Sequence, residues 1–142
     1  MGGQVIKRII FFGVASLIAC TDSALTGDFR TSNGVRVNPV NAQVFEVIAR
    51  PGDLQVLDFW CGAGEYARRV LDAPGRARVY VVSEAGPGAV SDSKSTVQFS
   101  LSPPKQTQGA LGHTSYWGPN IGSQASVVEA GSRCRTQLRF DD

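Results

Sequence analysis

One stretch governs what this chain can fold into. In residues 54–71, "LQVLDFWCGAGEYARRVL", Val56, Phe59, Trp60, Ala63, Ala67, Val70 and Leu71 recur at helical spacing and fall on one broad face. Asp58, Glu65 and Arg69 fall opposite, with Glu65 and Arg69 at the i,i+4 spacing that favours an acid before a base. Pro51-Gly52-Asp53 turns into the segment, Asp53 being a good capping residue, and "DAPG" (72–75) ends it. Gly62 and Gly64 each cost about 1 kcal/mol in a helix interior. Gly64 lies on the apolar edge, where a missing side chain lets a helix approach a sheet.

Around this one helical pattern the chain reads as strands and turns. "AQVFEVIA" (42–49) and "ARVYVVSEA" (77–85) are rich in β-branched and aromatic residues. "STVQFSLS" (95–102) alternates, with Val97, Phe99 and Leu101 to one side, as a half-buried antiparallel strand does. "ASVVEA" and "SRCRTQLRF" suggest a closing hairpin around Ala130-Gly131. Its second arm would place Cys134, Thr136, Leu138 and Phe140 on one face and Arg133, Arg135, Gln137 and Arg139 on the other. The arginines read as a solvated face, or as a basic stripe for an anionic glycan or lipid. The expected fold is α+β: one antiparallel sheet of four to six strands with one main helix packed on one face. Trp60, Ala63, Ala67 and Leu71 should meet Phe45, Val47, Val79, Val81, Val97 and Phe99.

The N-terminus speaks to location. "MGGQVIKR" carries two positive charges, and "IIFFGVASLIA" (9–19) is an eleven-residue apolar run. That is short of the roughly 20 residues a spanning helix needs, and small residues end it. The pattern is that of a signal peptide, residues 1–19. "LIAC" (17–20) resembles a lipobox, which would lipidate Cys20 and anchor the chain, as an outer-membrane lipoprotein for instance. Ordinary cleavage near Ala19, releasing the chain into the periplasm, is the alternative. Without Lys7 and Arg8 the 14 basic and 12 acidic residues become 12 and 12. A near-neutral chain gives no electrostatic case for nucleic acid as a partner. Residues 20–41 read as a flexible leader that adds at most one short strand, and residues 42–142 as a single domain.

"VLDFWCGAG" (56–64) also approximates the D-x-G-x-G-x-G cofactor loop of S-adenosylmethionine-dependent methyltransferases. Asp58, Gly62 and Gly64 match, but Trp60 replaces the first glycine and Glu84 comes one place late for a ribose-binding acid. The further βα units such an enzyme needs are missing, so the glycines alone are weak support.

A different resemblance covers about half the chain. "FEVIARPG", "DFWCGAGEYARRVL", "RVYVVSEAGPG", "STVQFSL" and a late cysteine, in that order, resemble a group of small exported alphaproteobacterial proteins with a W-C-x-A-G-[DE]-Y-A motif. That group has no assigned activity. The resemblance implies export and a fold plan, and no catalytic residues. The "RFDD" tail departs from it.

Three cysteines leave an odd one. Cys61 flanks the apolar face of the helix and Cys134 points to the apolar side of the last strand, so a packed helix would let them pair in an oxidising compartment. Pairing of Cys61 with Cys20, or a buried free thiol, is the alternative. No C-x-x-C occurs and His113 is the only histidine, which leaves no zinc site. The long connection 103–124 holds His113, Tyr116 and Trp117, the candidate ligand surface. Tyr116 and Trp117 either cap the core edge or form a platform for sugar or peptide. No acid, base and nucleophile converge by spacing. The function expected is therefore a non-enzymatic exported domain, binding or structural, with an envelope component as partner and no cofactor. The methyltransferase, or a hydrolase using His113, is the alternative.

Overall fold

A computed structural model describes residues 29–138. The expected signal peptide (1–19), Cys20, residues 21–28 of the expected leader and the tail 139–142, with Arg139 and Phe140, lie outside the described residues. The elements are β1 (Phe29–Arg30), β2 (Arg36–Pro39), β3 (Phe45–Ile48), α1 (Gln55–Arg69), β4 (Arg78–Gly86), β5 (Thr96–Ser100), β6 (Gln124–Ser126) and α2 (Val127–Leu138). A 3-10 turn at Pro104–Gln106 follows β5. The six strands form one antiparallel sheet in the order β1-β2-β3-β5-β4-β6. Both helices pack on one face, and the fold is α+β.

The core lies between that face and α1. Phe45 and Phe99 are cross-strand partners with ring centroids 6.1 Å apart. Trp60 meets Phe99 edge-on at 5.3 Å, and Tyr66 lies 4.6 Å from Phe45. Val47, Val79, Val81 and Val97 complete this layer without exposure. At roughly 25 cal/mol per Å² of apolar area removed from water, such a layer is the main favourable term in folding.

Small residues let α1 approach two neighbours. A Cβ on Gly62 would lie 2.4 Å from Val47 Cγ1, so Gly62 is the point of contact with the sheet. A Cβ on Gly64 would lie 2.2 Å from the Gly131 backbone nitrogen, so Gly64 faces α2 and not the sheet, against the expectation from sequence. The buried arc of α1 is therefore rotated from the expected one. Val56 and Leu71 are exposed, because they sit beyond the reach of the sheet at either end. Asp53 does not cap the helix; Leu54 precedes it, with no side-chain cap.

Asp58, expected on the solvated face, is buried. Its carboxylate accepts from the Arg50 backbone N–H at 2.9 Å, from Arg50 Nε at 3.2 Å and from the guanidinium Nη2 at 2.9 Å. Arg50 Nη1 in turn donates to the Asn33 carbonyl at 2.6 Å. One residue thus ties the β3–α1 turn to the β1–β2 connection. Residues 29–41, assigned to a leader with at most one strand, supply two, and Val35 and Val37 are fully buried.

The closing hairpin does not form. Residues 127–138 are the helix α2, and β6 is only three residues long. The Ser126 hydroxyl accepts from the Glu129 N–H at 3.1 Å, the geometry of a helix N-cap. Val127, Ala130 and Cys134 then recur at i, i+3 and i+7 as a buried seam against α1. Cys61 and Cys134 form a disulfide, as expected, but it joins two helices rather than a helix and a strand.

The second face of the sheet departs from expectation too. Thr96, Gln98 and Ser100 on β5 are as buried as Val97 and Phe99, so the strand is covered on both sides. The covering layer is made of loops, and polar side chains rising from the sheet hold it.

Candidate functional site

The two loops that cover the sheet are fixed by buried acceptors. Glu46 on β3 accepts from the Ala89 and Val90 N–H groups at 2.8 and 3.3 Å. Gln98 Oε1 accepts from the Leu111 N–H at 2.8 Å, and the Ser83 hydroxyl from the His113 N–H at 2.8 Å. Beside them, Asn41 Nδ2 donates to the Gln108 carbonyl at 3.1 Å. An unpaired buried carboxylate is costly; the bonds to Glu46 offset that cost while ordering the β4–β5 connection, and those from Gln98, Ser83 and Asn41 order the connection after β5.

Glu84 has the most specific task. Its Oε1 accepts from the Ser115 N–H and its Oε2 from the Ile121 N–H, both at 2.7 Å. One carboxylate thus closes the base of a seven-residue loop, 115–121. The loop also runs along the edge of β4: the Glu84 N–H donates to the His113 carbonyl at 2.8 Å, and the Gly122 N–H to the Val81 carbonyl at 2.9 Å. Gly118 turns inside the loop at φ +85°, a conformation that glycine adopts freely.

Of the three residues named for a ligand surface, Tyr116 and Trp117 lie in this loop and His113 just before it, and they do not form one platform. Trp117 points inward, 5.8 Å from Phe59, and packs against the core. His113 is half-buried with its ring beside Gly86, and among the described residues no carboxylate or hydroxyl pairs with its imidazole. Tyr116 points outward and is 98% exposed. Of the two roles proposed for the aromatic pair, Trp117 takes the packing one and Tyr116 is left free to meet a ligand.

The residues of the cofactor-loop reading are placed elsewhere. Asp58, Gly62 and Gly64 lie inside α1, not on a strand-to-helix turn. Asp58 is engaged by Arg50, the two glycines by the sheet and α2, and Glu84 by the loop. Backbone N–H groups at Gly62 and Gly64 belong to the helix and cannot cradle a ligand.

A groove of about 420 Å³ runs beside the disulfide between α1 and α2, with Glu65, Arg68 and Arg135 along it. Arg68 and Glu65 pair with each other at 2.6 Å across one turn. Arg133 and Arg135 lie on α2 rather than on a strand face, so the described residues form no basic strand stripe. Among the described residues no three His, Cys, Asp or Glu side chains converge as a metal site requires, and no helix is long and apolar enough to cross a membrane.

No protein-family model matches the chain, and neither does any curated protein or solved structure.

Proposed function

We propose that this chain is an exported domain that acts by binding, or as a structural part of the cell envelope, and not by catalysis. The observation that carries the proposal is the use to which the buried acids are put. Asp58, Glu46 and Glu84 each spend their oxygens on backbone or guanidinium donors of the fold. A general acid or base must instead face a reacting atom within hydrogen-bond reach. Among the described residues no carboxylate or hydroxyl pairs with the His113 imidazole, and the nearby Ser83 hydroxyl is taken up by the His113 backbone N–H. The surface offered to a ligand is the loop closed by Glu84, with Tyr116 at its tip.

Export rests on the basic and apolar pattern of residues 1–19, and a disulfide suits an oxidising compartment. The "LIAC" lipobox makes Cys20 the lipid attachment point. Metabolic labelling with a palmitate analogue, followed by fractionation, tests this. The label should enter the wild type and be absent from Cys20→Ala. Equal soluble release of both proteins would remove the anchor, and cytosolic recovery of both would remove export.

A further inference from the structure

We propose that the 115–121 loop binds a neutral polysaccharide, with the Tyr116 ring as its stacking surface. This rests on the reading of the chain as a binding domain and names the class of ligand.

The loop holds its aromatic tip in place before any ligand arrives. Glu84 closes its base with two 2.7 Å bonds, Trp117 anchors its centre against Phe59, and the Ser115 hydroxyl accepts from the Trp117 N–H at 3.3 Å. Its neighbour Tyr116 is 98% exposed. A tyrosine ring that touches nothing forgoes the burial that normally stabilises such a side chain, and a ligand covering one ring face recovers it. Because the backbone is already fixed, little ordering cost is incurred on binding.

Charge and size select the ligand. From Gln106 to Val128 the chain contains no Asp, Glu, Lys or Arg, and His113 is the only titratable side chain besides Tyr116. The segment itself therefore brings no fixed charge to attract an anionic polymer or to pair with a charged peptide. The exposed neighbours Thr114 and Asn120 offer a hydroxyl and an amide, which can both donate and accept. A protein partner needs a desolvated apolar centre within roughly 800 Å² on each side. In this segment the exposed large apolar residues are only Leu111 and Tyr116, with Val128 at its far end on α2. A sugar needs less: one ring face for its C–H surface and neutral hydrogen-bonding groups for its hydroxyls.

Native gel electrophoresis of the whole chain through dextran, laminarin or galactomannan tests the proposal, with polygalacturonate as the charged control. At least one neutral polymer should retard the protein, and polygalacturonate should not. Tyr116→Ala should weaken that retardation at least tenfold, and Tyr116→Phe should keep it. Unfolding midpoints of both variants should match the wild type, since the ring contributes nothing to the core. Retardation that survives in Tyr116→Ala overturns the assignment. A photoreactive benzoylphenylalanine in place of Tyr116 separates the remaining outcomes. Crosslinking to an envelope protein without retardation overturns the polysaccharide and leaves the binding domain standing. Neither retardation nor crosslinking overturns both.

Discussion

Two glycines that face one another across the α1–α2 crossing should respond to alanine in opposite directions. A Cβ on Gly64 would sit 2.2 Å from the Gly131 nitrogen, 2.7 Å from its Cα and 2.8 Å from the Ala130 carbonyl carbon. Unstrained heavy-atom contacts lie near 3.5–4.0 Å, and these neighbours are backbone atoms that cannot rotate away. The Cys61–Cys134 bond also limits how far α2 can retreat. Overpacking of this kind costs about 1–3 kcal/mol. With no soft neighbour the cost should fall at the upper end, and the helix-propensity gain of about 1 kcal/mol offsets part of it. Gly64→Ala should therefore destabilise the protein by about 2 kcal/mol. The same Cβ placed on Gly131 meets nothing closer than the Gly64 carbonyl carbon at 4.0 Å. Gly131→Ala keeps only the propensity gain and should stabilise by up to about 1 kcal/mol. Urea unfolding followed by circular dichroism, with the disulfide intact, measures both. A stabilised Gly64→Ala would refute the close crossing. A destabilised Gly131→Ala would mean that Gly131 occupies a turn and that 127–138 is a hairpin after all.

Other perturbations probe separate joints. Replacing Cys61 and Cys134 together by serine opens a link across 73 positions, which the chain-entropy relation values at about 4 kcal/mol; an unchanged unfolding free energy would contradict the staple. Asp58→Ala leaves Arg50 without its carboxylate, and because the Arg50 side chain is 37% exposed and partly screened by water, the loss should be about 2–3 kcal/mol. A loss below about 0.5 kcal/mol, the range of ordinary surface changes, would contradict that role. Burial raises the Tyr66 phenol above its ordinary 10.0. The neutral form is the one the fold favours, so this contribution is complete below pH 10 and is lost as pH climbs toward the folded-state value. Tyr66→Phe should show a shallower decline in stability above pH 10 than the wild type, and parallel curves would refute the assignment. Equilibrium dialysis against S-adenosylmethionine should show no binding, and micromolar binding would contradict the proposed non-enzymatic role.

Part of this architecture was legible in the sequence because it repeats. The 3.6-residue period marked α1 within two residues, and period-2 alternation marked β5. Two cysteines left over after Cys20 suggested their own pairing. What escaped depended on partners distant in the chain. Asp58 looks like a surface residue until Arg50 and Asn33 are brought to it. Gln98 and Thr96 look solvated until Leu111 and the Gly86 carbonyl supply bonds. Two adjacent valines followed by Ala130-Gly131 look like a strand and turn, and the β-branched pair outweighed a signal that was present. Ser126-Val127-Val128-Glu129 has the S-x-x-E spacing of a helix N-terminus, and the 127, 130, 134 spacing follows it. The direction of Tyr116 had no local signal at all. It is set by Trp117 turning inward to Phe59 and by Glu84, 31 residues before Ser115, closing the loop.

The proposed export and the Cys61–Cys134 bond between the two helices can be read in one experiment. Mass-spectrometric peptide mapping under non-reducing conditions, on protein recovered from cells expressing the whole chain and alkylated at lysis, tests both most directly. An N-terminal peptide that begins at Cys20 should appear together with a linked pair of peptides carrying Cys61 and Cys134. Recovery of Met1 in the same protein, with both cysteines alkylated without prior reduction, would contradict both.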